Sequence, residues 1–114
     1  MHYLHRSADR RRDVRAVLPS ARSVLVLATV YNVERPYSNE SSASDRAAIA
    51  RYAWGEDYHL VIEKRLDQLM SWLRSRAGSG FEARAYVDTG PVQERVYAQY
   101  AGIGWIGKNT CVIN

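Results

Sequence analysis

Three short stretches of this sequence concentrate residues that could do chemistry. In Val87-Asp88-Thr89-Gly90-Pro91 a carboxylic acid follows an alternating apolar–polar stretch and precedes a proline-initiated turn. An acid at the carboxyl end of a strand is where open α/β sheets place ligand-contacting groups. An Asp just before a helix is also a common cap, accepting backbone N–H bonds, and position alone favours the cap. The two roles conflict. A helix N-terminus favours the ionised carboxylate, whereas a general acid near neutral pH keeps its proton through burial. An acid role for Asp88 therefore predicts a dry pocket closed by something bulky. Arg95 lies seven residues on, about two helical turns along, on nearly the same face. Taken alone, Arg95 reads as a solvated ion pair with the neighbouring Glu94.

The second stretch, Gly102-Ile103-Gly104-Trp105-Ile106-Gly107, spells GxGxxG. A dinucleotide loop follows a strand and opens a helix. Here the predicted order is helix, then glycines, then strand. Lys108 extends the run, but the phosphate-loop spacing requires four residues between glycines and Ser or Thr after Lys. A helix-terminating turn explains Gly102, though not why Trp105, Lys108 and Asn109 crowd beside it. The third stretch, Arg51-Tyr52-Ala53-Trp54-Gly55-Glu56-Asp57-Tyr58-His59, reads as aromatic core packing with Asp57 capping a helix. No second His or Cys stands at ligand spacing from His59, so no metal site is expected there.

The elements that must position these residues follow from periodicity and punctuation. Residues 9–17 are arginine-dense and closed by Pro19, as a solvated helix or extended arm. Ser23 to Tyr31 is a nearly unbroken apolar, β-branched run, which predicts a strand buried on both faces. Asn32 to Asp45 is a polar loop. Ile62, Leu66, Leu69 and Leu73 recur at helical spacing and predict an amphipathic helix over 57–77, ended by Gly78-Ser79-Gly80. Residues 82–87 alternate as a second strand, and a helix runs from Pro91 to about Tyr100. Thr110 to Asn114 starts a further strand without a partner. The expected fold class is α/β, a mixed sheet flanked by helices and incomplete at both ends, as in a fragment.

Composition sets the outer bounds. The 114 residues carry 16 Lys+Arg against 12 Asp+Glu, a net charge of +4. Residues 1–22 hold six arginines and two acids, and the remaining residues hold ten of each sign, so the whole excess sits in the first fifth. Fourteen of the sixteen bases are Arg, whose planar fork suits phosphate. The length suits one domain able to bury roughly 65% of its unfolded surface. Apolar residues at 46% argue against wholesale disorder. No apolar run approaches the ~20 residues that cross a bilayer. Met1-His2-Tyr3-Leu4-His5-Arg6 opens no signal peptide. A single cysteine, Cys111, excludes an internal disulfide framework or a Cys-rich metal site, and the expected compartment is the cytosol.

Taken in order, Arg51 to His59, Tyr86-Val-Asp-Thr-Gly-Pro-Val-Gln-Glu-Arg95 and Ala101-Gly-Ile-Gly-Trp-Ile-Gly-Lys-Asn-Thr110 resemble the epoxyqueuosine reductase family. Ala21-Arg22-Ser23-Val24 is similar too, so the likeness covers essentially the whole chain. The resemblance implies a cobalamin-dependent enzyme that reduces the epoxide of epoxyqueuosine in tRNA to queuosine. It implies that residues 1–114 are part of a cobalamin-binding N-terminal domain. A ferredoxin-like domain with two 4Fe-4S clusters would follow Asn114, helical repeats after it, and roughly one more helix-and-strand unit would precede Met1. Asp88 would be the proton donor to the epoxide oxygen and Arg95 would lie near the substrate. Arg51, Tyr52, Asp88, Trp105, Lys108 and Asn109 would line the cofactor site, with some members carrying Cys where this chain has Arg51. The implied partners are tRNA and an external electron donor, with no membrane and a monomeric enzyme. The segment alone lacks the cluster cysteines and would not complete turnover. Two other readings stay open on residues alone: a non-catalytic basic RNA-binding module, and a corrinoid reductase with another substrate such as an organohalide.

Overall fold

The computed structural model describes residues 8–37, 40, 45 and 47–114. Residues 1–7, Arg6 included, and most of the polar loop between Tyr37 and Ala47 lie outside the described residues. Helix α1 is Ala8–Arg12, followed by a 3-10 turn at Val14–Ala16 that Asp13 caps by accepting the Arg15 backbone N–H at 2.9 Å. The arginine-dense arm is therefore one short helix and a turn. Two of its arginines face acids, Arg12 near Asp9 at 4.0 Å and Arg15 on Asp13 at 2.9 Å. Gln93 Nε2 donates to the Arg11 carbonyl at 3.2 Å and Ser20 Oγ to Glu82 at 2.5 Å, which tie this arm to residues 82–93.

Helix α2, Tyr58–Ala77, starts one residue inside the predicted range. Asp57 caps it through the His59 N–H at 2.9 Å, and Gly78 at φ 82° ends it. Its stripe of Ile62, Leu66, Leu69 and Leu73 is half-buried beside a buried Met70. Helix α3, Glu94–Tyr100, begins three residues after Pro91 rather than at it. Its end is a Schellman closure: Ile103 N–H reaches the Ala98 carbonyl and Gly102 N–H the Gln99 carbonyl, both at 3.0 Å. Gly102 takes φ 75°, the left-handed conformation that closure demands.

Strand β1, Trp105–Ile106, then pairs antiparallel with β2, Val112–Ile113, Trp105 facing Ile113 and Ile106 facing Val112. A Cβ on Gly104 would collide with the Ile113 carbonyl, so the hairpin requires glycine there. The GxGxxG run is thus a helix-to-hairpin turn, as its order in the sequence predicts. The last strand, expected to be unpaired, has β1 as its partner.

Two expected strands do not form. Residues 23–31 join no ladder, and Leu25, Leu27, Val30 and Tyr31 are 55–88% exposed. Residues 82–87 join none either, and only Val87 of that stretch is buried. An apolar run signals a preference for burial, but a strand exists only where a neighbour takes its N–H and C=O groups. The mixed sheet is accordingly replaced, among the described residues, by one two-stranded antiparallel ribbon beside three helices. This is an α/β arrangement with a thin core of Met70, Val87 and Ala98.

Candidate active site

Asp88 sits between Val87 and Thr89 in a tight turn, with φ at 55° and the Thr89 N–H reaching back to the Val87 carbonyl at 2.5 Å. Asp tolerates the left-handed region better than most residues. The expected helix cap is not made: α3 has no side-chain cap. The Asp88 carboxylate instead accepts a hydrogen bond from the Tyr58 hydroxyl at the start of α2. That contact joins residues 30 positions apart along the chain. The Asp88 backbone N–H is held in turn by the Glu94 carboxylate. Glu94 therefore serves the Asp88 turn, and the ion pair expected between Glu94 and Arg95 does not occur.

The electrostatics follow from these contacts. Burial, and then the Asp88 charge, push the Glu94 carboxyl above its ordinary range. Its Oε1 is buried without a hydrogen-bond partner. The bond to Asp88, helped by partial burial, pushes the Tyr58 hydroxyl up to about 12. Tyr58 thus keeps its proton and acts as a fixed donor. His59 stacks on Tyr58 with ring centroids 4.1 Å apart. Its Nδ1 is 2.8 Å from Asp57 Oδ1 and its Nε2 is 3.9 Å from Asp88 Oδ2. The His59 backbone N–H, and then its ring, hold the Asp57 carboxyl below its ordinary range. The Asp88 side chain itself is 58% exposed, so the dry pocket an acid role calls for is not closed by the described residues.

Arg95 donates from Nη1 to both the carbonyl and the hydroxyl of Thr110, each at 2.7 Å. Thr110 has φ 65°, a costly conformation for a β-branched residue. The bonds from Arg95 hold it there, at the tip of the β1–β2 hairpin. Lys108 and Asn109 occupy the same tip, Asn109 accepting the Cys111 N–H at 3.2 Å. Trp105 is 59% exposed on β1.

Arg51 lies in a 3-10 turn, Arg51–Ala53. Its guanidinium donates to Asn32, to the Val33 carbonyl at 2.9 Å and to the Arg35 carbonyl at 2.6 Å, and lies 4.3 Å over the Tyr37 ring. It clamps the polar loop to the block that begins at Arg51. Tyr52 is 54% exposed and meets Tyr58 edge-on at 6.0 Å. Among the described residues no group of three or more His, Cys, Asp and Glu could hold a metal ion. No described helix is long and apolar enough to cross a membrane.

The three stretches that looked chemical in the sequence are therefore joined in pairs. Tyr58 of the Arg51–His59 stretch meets Asp88, and Arg95, seven residues beyond Asp88, meets Thr110 next to the glycine run. Sequence reasoning missed Tyr58, Glu94 and Thr110 as partners. Tyr58 lay inside a marked stretch, and its place beside the helix cap was the available signal.

An exposed acid held by a tyrosine thus lies on an α/β scaffold that carries solvent-facing aromatics. Residues 11–89 match the family model described as "Epoxyqueuosine reductase QueG, DUF1730", and the chain belongs to that family. An epoxyqueuosine reductase of Gloeobacter violaceus is 47% identical over 99% of this chain and 33% of its own length. One from Synechocystis sp. is 42% identical over 92% of this chain and 35% of its own. One from Cyclobacterium marinum is 38% identical over 100% of this chain and 36% of its own. The chain thus spans about a third of the length of these relatives. No solved structure matches it.

Proposed function

We propose that this chain is the acid-bearing, cofactor-facing part of an enzyme that reduces the epoxide of epoxyqueuosine in tRNA to queuosine. The observation that carries the reading is Asp88: an exposed carboxyl held by the Tyr58 hydroxyl, in a turn whose backbone N–H the Glu94 carboxylate accepts, in a chain whose relatives are named for that reaction. By its name the substrate holds one bridging oxygen more than the product. Removing it takes two electrons and two protons, leaving the two carbons doubly bonded and releasing water.

Cobalamin, when bound, would supply the electrons. The chain's residues fit such a group in part. Tyr52 and Trp105 present exposed aromatic faces, and Lys108 and Asn109 present polar groups on the hairpin that carries Trp105, which suits a large amphipathic ring edged with amides. Arg51 does not fit, because its donors are engaged by the polar loop. Asp88 protonates the departing oxygen as its bond to carbon breaks. Tyr58 fixes the carboxyl's direction, and Arg95 holds the hairpin tip against α3. Closure over Asp88 would come from what binds there, cofactor and substrate together excluding the water that reaches 58% of its side chain in the free chain. The iron–sulfur domain and external electron donor belong to the same reading and lie outside these residues.

The test uses this segment within a chain of its relatives' full length. After incubation with cobalamin and gel filtration, a retained corrin absorption band and conversion of epoxyqueuosine in tRNA are expected. Absence of the band together with salt-sensitive RNA binding would instead favour a non-catalytic RNA module.

A further inference from the structure

Water formation raises a question that one carboxyl cannot answer alone. Two protons must reach one oxygen, and Asp88 carries one at a time. It must be recharged while substrate and cofactor cover its exposed face. On the protein side two proton-bearing groups adjoin its Oδ2, the Tyr58 hydroxyl and the His59 ring.

We propose that His59, oriented by Asp57, returns the second proton to Asp88 between the two protonations. The inference rests on the acid role given to Asp88 above. Asp57 Oδ1 accepts from His59 Nδ1 at 2.8 Å, which fixes the protonated nitrogen on that side and turns Nε2 toward Asp88. The 3.9 Å from Nε2 to Asp88 Oδ2 is a gap that one bridging water or a small side-chain rotation closes. The transfer balances: the imidazolium Nε2–H gives its proton to the Asp88 carboxylate, leaving neutral imidazole and a neutral acid. The ring, 32% exposed, then takes a proton from solvent at Nε2. Tyr58 is the poorer source, because the bond to Asp88 keeps its proton bound up to about pH 12. Around His59 the charged and titratable neighbours are Asp57, Tyr58 and Asp88, with Glu94 behind Asp88. The alternative is structural: His59 merely completes the cap of α2 through its backbone and ring.

Imidazole rescue separates the two. In the full-length chain His59→Ala is expected to slow product formation at least about tenfold at saturating tRNA, with KM and the corrin band unchanged. Imidazole added to the buffer should restore several-fold. Asp57→Ser keeps a good helix cap but frees the ring. Side-chain ¹⁵N spectra of the cofactor-free protein should then show His59 leaving the single Nδ1-protonated tautomer expected of the parent. An undiminished His59→Ala, a loss that imidazole does not touch, or a tautomer indifferent to Asp57→Ser overturns the relay. Asp88→Asn run alongside keeps the two claims apart. Full turnover there overturns both, whereas an inactive Asp88→Asn beside a fully active His59→Ala overturns the relay alone.

Discussion

Asp88 and Thr110 are the non-glycine residues with positive φ among the described residues, and each is gripped by a long-range hydrogen bond. Such conformations cost on the order of 1–3 kcal/mol and persist where neighbours enforce them. Arg95→Ala should therefore release the Thr110 tip and destabilise the full-length protein by about 1–3 kcal/mol, read as a lower urea midpoint at unchanged slope. Glu94 gives a signed pH test. Its pKa is raised in the fold, so its protonated form favours folding: that stability is complete below the unfolded value and lost as pH rises through the folded one. Glu94→Gln keeps an acceptor for the Asp88 N–H. It should raise the unfolding midpoint at pH 7, by on the order of 0.5 kcal/mol given its partial exposure, and leave it unchanged near pH 3. The Tyr58–Asp88 bond works the same way in alkali. Its contribution is complete below pH 10 and lost as pH rises toward 12, and the tyrosinate absorbance missing from Tyr58→Phe should be the last to appear.

Helix α2 was legible almost to the residue, because a 3.6-residue stripe, an Asp cap and a glycine stop agree. The glycine run was legible for a similar reason: order along the chain alone ruled out a dinucleotide loop, and Gly102 at φ 75° does what a helix-ending glycine does. Gly102→Ala should cost about 1 kcal/mol at that position, seen as a lower melting temperature. Of the β1–β2 ribbon, the second strand was legible in the run from Thr110 to Asn114, but β1 and the pairing were not, since a two-residue strand inside a glycine run carries no period to detect. Nor was the site. Asp88 was marked by its setting, but its grip by Tyr58 spans 30 residues, and its turn depends on Glu94, which looked like a partner for Arg95. Local patterns reveal which residues are special, whereas long-range contacts decide what they touch.

At the scale of the molecule, the chain exposes 10062 Å², against about 6300 Å² for a compact protein of this mass. Its radius of gyration is 17.6 Å, against about 13 Å for a compact chain of this length. The run from Val24 to Tyr31 accounts for part of the excess: it is apolar, uncharged and unladdered. An exposed segment of that kind is a template for pairing and for aggregation. Expressed as these 114 residues, the chain should bind a hydrophobic dye and scatter light on concentration. Val30→Lys should lessen both, and continuation to the relatives' length should abolish them. The net charge of +4 has a similar scale. Its excess is confined to residues 1–22, and Arg12 and Arg15 of that segment already face acids.

The most direct test of the central claim, that Asp88 is the acid, is the rate of queuosine formation by Asp88→Asn in the full-length chain. Asn keeps the size of Asp88 and an oxygen to accept from Tyr58, but has no proton to give. The expected result is a retained corrin band with product formation reduced by 10²-fold or more, within the general range of acid catalysis. Parental turnover by that variant would contradict the assignment.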